Sequence, residues 1–438
     1  MTTRSIKNLL LACSLCCGAA AALTACHDTV DDYFPQTATQ RLQSTVSRLH
    51  KLLTSADYGW EFEYYPSSDL SYGGIVYTVR FDSLTATVGC SLIPDSTATS
   101  LYRITNDSGP VLTFDSYNPL MHYFSTPSAG EYEGKGGEFE FVVDSIGDDQ
   151  IVLYGKKTRN TMYLRRLTGS TDDYAAKTIN IFDHFVDSLR GTIGSRAVSG
   201  CFNPSDRSLQ LFAGTDTLPV AHYTFNSRGI RLYRPLRIEG KSLQSFVFDT
   251  ATNELRCTDP GADDVVLQGV PRLANFMSYP KYEADYTLVY KGGSVNVHLK
   301  PNRLEGTYLL QGLSYAYDLV LNYDAATGNL TLGSQVVAER DGRTYYWVCY
   351  NYTDGSLSLA DEGQFTLSWN QNRFYPVFNF TTTNPKVLDC DGGLLIYVYL
   401  DENDNYHAAV ADDGSLLTNG SALFEGLKSL NRKTRMED

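Results

Sequence analysis

The chain has 438 residues, of which 42% are apolar, 20% charged and 12% aromatic, enough to build a sizeable core and to exclude wholesale disorder. Its 36 basic and 50 acidic residues give a formal charge of −14, the opposite of the basic face that non-specific nucleic-acid binding needs. The length suits two or three domains of about 150 residues, and 31 Tyr, 20 Phe and 35 Gly against 3 Trp lean toward strands joined by tight turns.

The chain opens with Arg4 and Lys7, followed by an uncharged stretch from Leu9 to Leu23, the texture of a signal peptide. It ends in Leu23-Thr24-Ala25-Cys26, the form of a bacterial lipobox, so residues 1–25 are expected to be a lipoprotein signal and Cys26 the lipidated mature N-terminus, the protein's membrane contact. An ordinary secretory signal and an uncleaved anchor are the alternatives, but Ser14, Gly18 and Thr24 interrupt the apolar run that a spanning helix requires. Cleavage removes Arg4 and Lys7, leaving 34 basic against 50 acidic residues and a charge of −16. The remaining thiols are Cys90, Cys201, Cys257, Cys349 and Cys390, without a CxxC pair; any disulfide pairing among them is left open.

Residues 26–57 read as a tether and a helix. Thr37-Ala38-Thr39-Gln40 has the form of a capping box, and Leu42, Val46, Leu49 and Leu53 follow as one apolar stripe. Residues 58–168 read as an N-terminal β domain. Trp60, Phe62 and Tyr64 alternate with Glu61, Glu63 and Tyr65 until Pro66, and further strands are expected at 75–81, 101–104, 111–114, 138–143, 151–154 and 162–167. Helical spacing returns over 171–190, with Ser170 as N-cap and Tyr174, Thr178, Ile181, Phe185 and Leu189 on one side. It opens a region, 169–278, of connector helix and middle strands. Residues 279–438 read as a C-terminal β domain of successive hairpins, marked by Lys291-Gly292-Gly293 and by Asx-Gly pairs at 341, 354, 391, 413 and 419. Pro376 is expected to place its strand at an edge or a bulge. The expected fold is mainly β: two or three antiparallel sandwich or barrel-like units with a short N-terminal helix and a connector helix.

Chemistry is sparse in the sequence. It holds no HExxH, GxSxG or P-loop pattern, and none of its seven histidines stands three or four residues from another, so no metal site and no cofactor are expected. Glu61 with Glu63, and Glu138 with Glu140, lie two apart on presumed strands and share a face, which invites an acid–base reading; a solvated strand face explains them equally. Asp401, Asn403 and Asn405 have calcium-loop spacing, but Tyr406 occupies the position that wants Gly, so a polar hairpin tip is the better reading. Tyr117-Asn118-Pro119-Leu120-Met121-His122-Tyr123-Phe124 is a loop carrying large apolar side chains, either closing a sheet or presenting a stacking platform. Trp60, Tyr117, His122 and Tyr123 are the candidate ligand contacts, with burial in the first domain's core as their alternative.

Several of these segments occur together in one order: the lipobox, the acidic run 27–32, the helix at Arg41, Tyr58-Gly59-Trp60-Glu61-Phe62-Glu63-Tyr64-Tyr65-Pro66, Gly73-Gly74, the run from Gly109 to Asn118, His122-Tyr123-Phe124, and Gly137-Glu138-Phe139-Glu140-Phe141. The set resembles an uncharacterised family of Bacteroidetes envelope lipoproteins, a domain of unknown function numbered 4302, over residues 26–250. The resemblance implies an envelope lipoprotein, often encoded near TonB-dependent uptake pairs of the SusC and SusD kind, and supplies no catalytic residues. The expectation is a surface-exposed, non-catalytic protein that binds a glycan or a peptide for nutrient uptake, with no nucleic-acid partner. A hydrolase whose site is assembled from distant segments, and a structural component of an outer-membrane complex, are the two alternatives.

Overall fold

The computed structural model describes residues 37–436 except 94, 108, 130, 271–275, 351–356, 359–362, 372–373, 383–393 and 409–422. Cys26 and its tether, Cys390 and the Asx-Gly pairs at 354, 391, 413 and 419 lie outside the described residues. The chain divides into two compact units, Met1–Leu49 and His50–Asp438. The first contributes most of the N-terminal helix, Ala38–Thr54. Its start is a reciprocal capping box: the Gln40 amide donates to Thr37 Oγ1 at 3.2 Å and the Thr37 amide to Gln40 Oε1 at 3.1 Å.

The second unit is mainly β and carries three closed or near-closed rings of strands. The first is an eight-stranded antiparallel barrel of Trp60–Tyr64, Ile75–Phe81, Thr85–Cys90, Thr97–Asn106, Pro110–Phe114, Glu140–Ile146, Gln150–Gly155 and Thr161–Arg166. It is a meander closed by pairing its ends, with Trp60 opposite Arg166 and Phe62 opposite Leu164. The inward residues are aromatic: Phe62 meets Phe141 edge-on at 5.0 Å, and Tyr64 lies 5.6 Å from Tyr77. Thr85–Cys90 is a strand that the sequence reading omitted. Its inward residues, Ala86, Val88 and Cys90, are small, so the apolar alternation is faint although all three are buried.

The connector helix runs Thr171–His184, six residues shorter than its periodicity implied, with Ser170 Oγ accepting from the Asp173 amide. Phe185 is extended and packs its ring against Phe202, Phe225 and Phe248 at 4.8–5.0 Å. Leu189 belongs to the strand Ser188–Ile193, where pairing on both sides overrides helical spacing. That strand, Arg196–Asn203, Ser208–Ala213, the two-residue Asp216–Thr217, Ala221–Asn226, Gly229–Ile238, Lys241–Asp249, Glu254–Cys257 and Val266–Gly269 form the nine-stranded middle sheet. It closes on itself because Arg196–Asn203 also pairs with Ser208–Ala213.

The third ring is a closed barrel of Ala284–Tyr290, Gly293–Asn302, Thr307–Gln311, Leu319–Asp324, Asn329–Gly333, Gln364–Trp369, Val377–Thr381 and Leu427–Arg432. Two insertions into it, one after Gly333 and one after Thr381, supply a separate six-stranded sheet that includes Gln335–Arg340, Arg343–Tyr350 and Leu394–Leu400. Asp341 and Gly342, at φ 54° and 73°, make the tight turn the Asx-Gly pair implied. Pro376 does not create an edge: Val377–Thr381 starts just after it and pairs on both sides, while the Pro376 carbonyl accepts from the Arg432 amide.

One turn of the middle sheet, Ser205-Asp206-Arg207, touches both barrels. The fully buried Arg207 guanidinium donates to the carbonyls of Tyr72, Arg303 (2.9 Å) and Leu304 (2.8 Å). The approach is close enough to need glycine on either side. A Cβ on Gly73 would stand 2.3 Å from the Asp206 carbonyl oxygen, and one on Gly306 would stand 2.0 Å from Ser205 Cα.

Candidate functional site

The connection from Phe114 to Glu140 in the first barrel, residues 115–139, holds no regular strand or helix among its described residues, and long excursions of this kind in compact domains commonly carry function. Its first turn is organised by Asn118, which is fully buried. The side-chain oxygen accepts from the Leu120 and Met121 amides at 3.1 Å, and the side-chain nitrogen donates to Ala98 O at 3.0 Å and Ser100 Oγ at 3.2 Å. Leu120, Met121 and Phe124 are thereby turned inward and close one end of the barrel. Two core tyrosines anchor the backbone there, the Tyr77 hydroxyl to Leu120 O and the Tyr64 hydroxyl to Glu138 O, each at 3.1 Å.

The four candidate contacts separate in space. Trp60 is 0% exposed: its indole donates to Leu53 O at 3.0 Å and Arg166 lies 4.8 Å over its ring, so it presents no face to a ligand. Tyr117 is 65% exposed and lies 5.5 Å from the His122 ring, which stacks on Phe139 at 4.8 Å. Burial holds the His122 imidazole below its usual pKa, against the opposing pull of its Asn118 backbone contact. Tyr123 turns away from this aromatic row toward the third barrel. Its hydroxyl donates to Glu305 and accepts from Asn302 Nδ2 at 3.2 Å, while Lys135 Nζ lies 3.3 Å from Glu305 and 2.6 Å from Glu131. The excursion is thus tied to a second domain by a charged, partly buried knot.

Beside it opens a cleft of about 650 Å³, lined by Ser67, Ser125, Tyr132, Glu133, Lys157 and Thr158 among others. Its walls are fixed to one another. The Ser67 amide donates to Gly136 O at 3.2 Å, and Asn160 Nδ2 donates to the carbonyls of Tyr65 and Ser67 at 3.0 and 2.7 Å. The buried Glu138 carboxylate accepts from the Lys157 amide at 2.5 Å, which assigns that carboxylate to holding a wall. Tyr132 is 72% exposed at the mouth, and its hydroxyl donates to Glu339 Oε1 at 2.6 Å. Hydroxyls, a cation, a carboxylate and an exposed ring converge here, a lining able to hydrogen-bond and stack a polar ligand. The cleft as a whole has no local signature in the sequence, because residues 67, 125, 132 and 157 stand on three separate loops that only the fold brings together. The Glu131–Gly137 run of alternating glycine and charge was the available signal.

The other carboxylate pair departs from the expected solvated face. Glu63 is 1% exposed under the middle sheet, with Arg165 Nη1 at 2.5 Å and Arg231 Nε at 3.7 Å. Glu61 stands 3.6 Å from Arg165, beside Tyr174, and burial followed by repulsion from Glu63 pushes its pKa up to about 7. Neither carboxylate lines the cleft. Asp401 behaves as a hairpin-tip residue, accepting from the Asn403 and Asn405 amides at 2.9 and 3.0 Å and meeting His407 Nε2 at 2.9 Å. Cys90, Cys201 and Cys257 are thiols rather than disulfides. Among the described residues, no group of three or more His, Cys, Asp or Glu is placed to hold a metal, and no helix is long and apolar enough to cross a membrane.

Two family models match the chain, both described as domains of unknown function: DUF4302 over residues 30–250 and DUF4987 over residues 258–396. The interval between them falls inside the middle sheet, whose strands Glu254–Cys257 and Val266–Gly269 follow the end of the first match. No curated protein matches the chain. The DUF4302 match covers half of the sequence, from the N-terminal helix through the first barrel and most of the middle sheet, and the chain belongs to that family.

Proposed function

We propose that this protein is a lipid-anchored, surface-exposed envelope protein that holds an extracellular glycan without turning it over, as an accessory to a neighbouring outer-membrane uptake pair of the SusC and SusD kind. The observation that carries the reading is the cleft. Its hydroxyl-rich lining (Ser67, Ser125, Thr158) and exposed Tyr132 combine hydrogen bonding with a stacking face, which suits a sugar ring better than an extended peptide. Supporting it are the lipobox ending at Cys26 and the net acidity, which disfavours sulfated or otherwise anionic glycans through repulsion over ~8 Å at physiological salt. Of the carboxylates paired in the sequence, Glu63 is held by two arginines and Glu138 by a backbone turn, and among the described residues the cleft lining carries one carboxylate, Glu133, where acid–base glycoside hydrolysis uses two. The test is a panel of neutral oligosaccharides and peptides offered to the purified chain. Saturable binding of an oligosaccharide with no product after long incubation supports the reading; cleavage with turnover establishes the hydrolase alternative. Labelled palmitate should enter the wild-type protein and not Cys26→Ala, and labelling that survives the substitution refutes the anchor.

A further inference from the structure

A second groove, of about 560 Å³, lies between the first barrel's 66–74 loop and the middle sheet, and its chemistry differs from that of the glycan cleft. Leu70, Leu218, Val220 and Leu236 give it an apolar lining, and Arg234 and Arg237 stand at its rim. Its volume falls within the ~300–1,000 Å³ of ordinary ligand pockets.

Three observations mark it as a built feature. The strand Gly229–Ile238 loses register with its partner between Arg231 and Leu236, a bulge that re-aims Arg234 and Pro235 out of the ladder. Leu70 holds a left-handed backbone, φ 61°, a conformation that a Leu adopts only where its surroundings enforce it. Tyr233, at the centre of the bulge, is pinned against the first barrel: its hydroxyl accepts from the Thr161 amide at 3.1 Å and its ring packs 4.6 Å from that of Tyr65. The middle-sheet wall of the groove is therefore fixed to the first barrel through Tyr233.

The arginines decide the ligand. Both are exposed, and neither has a carboxylate partner among the described residues, although the chain carries an excess of acidic groups. Asp69, next to the groove's Leu70 in sequence, forms no ion pair with either arginine; its carboxylate accepts from Ser67 Oγ at 2.6 Å and the Ser71 amide at 3.0 Å. Arg234 lies 5.6 Å from the Tyr233 ring and carries no ion pair there. Two guanidinium forks at the rim of an apolar trough, with Val220 51% exposed on its wall, complement a molecule that has one anionic head and an apolar body.

We propose that this groove binds an anionic amphiphile, its head held by Arg234 and Arg237 and its alkyl body laid along Leu70, Val220 and Leu236. The proposal is independent of the glycan reading, because the two sites share no lining residue.

Calorimetric titration of the full chain tests it with decanoate, decyl phosphate, decanol and acetate as probes. Decanoate or decyl phosphate should bind saturably, and the tighter of the two identifies the head group as carboxylate or phosphate. Decanol and acetate, each lacking one half of the recognition, should bind far more weakly. The double substitution Arg234→Glu with Arg237→Glu should weaken the anionic probe by about tenfold or more, since charge-assisted hydrogen bonds are lost. Val220→Asp should do the same from the apolar side. All three residues are exposed, so the melting temperature should hold. Failure of both anionic amphiphiles to saturate, affinity unchanged by the double substitution, or acetate competing as well as decanoate would each overturn the proposal.

Discussion

Replacing Glu61 with Gln should make the protein more stable above pH 7 and leave its stability nearly unchanged below pH 4.5. In the folded chain Arg165 lies 2.5 Å from Glu63 and 3.6 Å from Glu61, and Arg231 also turns to Glu63. Glu63 therefore takes most of the available positive charge, and an ionised Glu61 is left desolvated beside a second carboxylate. Its pKa rises from 4.5 to about 7. Because the folded value exceeds the unfolded one, the native state binds the extra proton within that window, and stability falls as pH climbs through it. At about 1.4 kcal/mol per unit, the shift corresponds to roughly 3–4 kcal/mol at full ionisation. Gln keeps the shape of the side chain without the charge. Urea unfolding of both proteins across pH measures the difference directly. It should grow in favour of the variant by about 3 kcal/mol between acid and mildly alkaline pH. A difference that is flat with pH, or that turns against the variant as pH rises, would mean that Arg165 serves Glu61 fully, and would refute this assignment of charges.

Trp60→Ala should cost about 3–5 kcal/mol in the same unfolding assay, because it empties a fully buried ring position and removes the bond to Leu53 O, whereas Tyr117→Ala at an exposed position should cost under about 1 kcal/mol. Glu305→Ala removes the acceptor shared by Tyr123, Asn302 and Lys135, so limited proteolysis should cut within 115–139 several-fold faster while sites elsewhere keep their rates; unchanged cutting would show that the knot does not hold the excursion.

The mainly β fold was legible because the chain announces it locally. Alternation at Trp60–Tyr64, the Asp341-Gly342 turn and the capping box at Thr37 each depend on a few adjacent residues, and each forms as its pattern implies. What escaped depends on distant partners. Leu189 keeps helical spacing yet joins a strand because two neighbours offer it ladder bonds, and Val377–Thr381 is interior despite its preceding proline because Leu427–Arg432 returns to cover it. The C-terminal sheet is assembled from two insertions into one barrel, an arrangement with no local signature. The site follows the same division. The 117–124 loop was conspicuous by its apolar content, but what its side chains face was set by the fold. Trp60 went inward, Tyr117 outward, and Tyr123 toward Glu305, a partner 182 positions away. The cleft itself joins three loops, so its residues carry no common spacing to detect.

The cleft beside Tyr132 is proposed as the place where this protein holds its ligand. The most direct measurement is the affinity of the oligosaccharide selected from the panel for wild-type protein and for Tyr132→Ala, alongside the melting temperature of each. Tyr132 is exposed, so its truncation should leave the melting temperature unchanged and weaken binding roughly tenfold through loss of the stacking face. Binding of equal strength to the two proteins would contradict the account and place the ligand elsewhere on the chain.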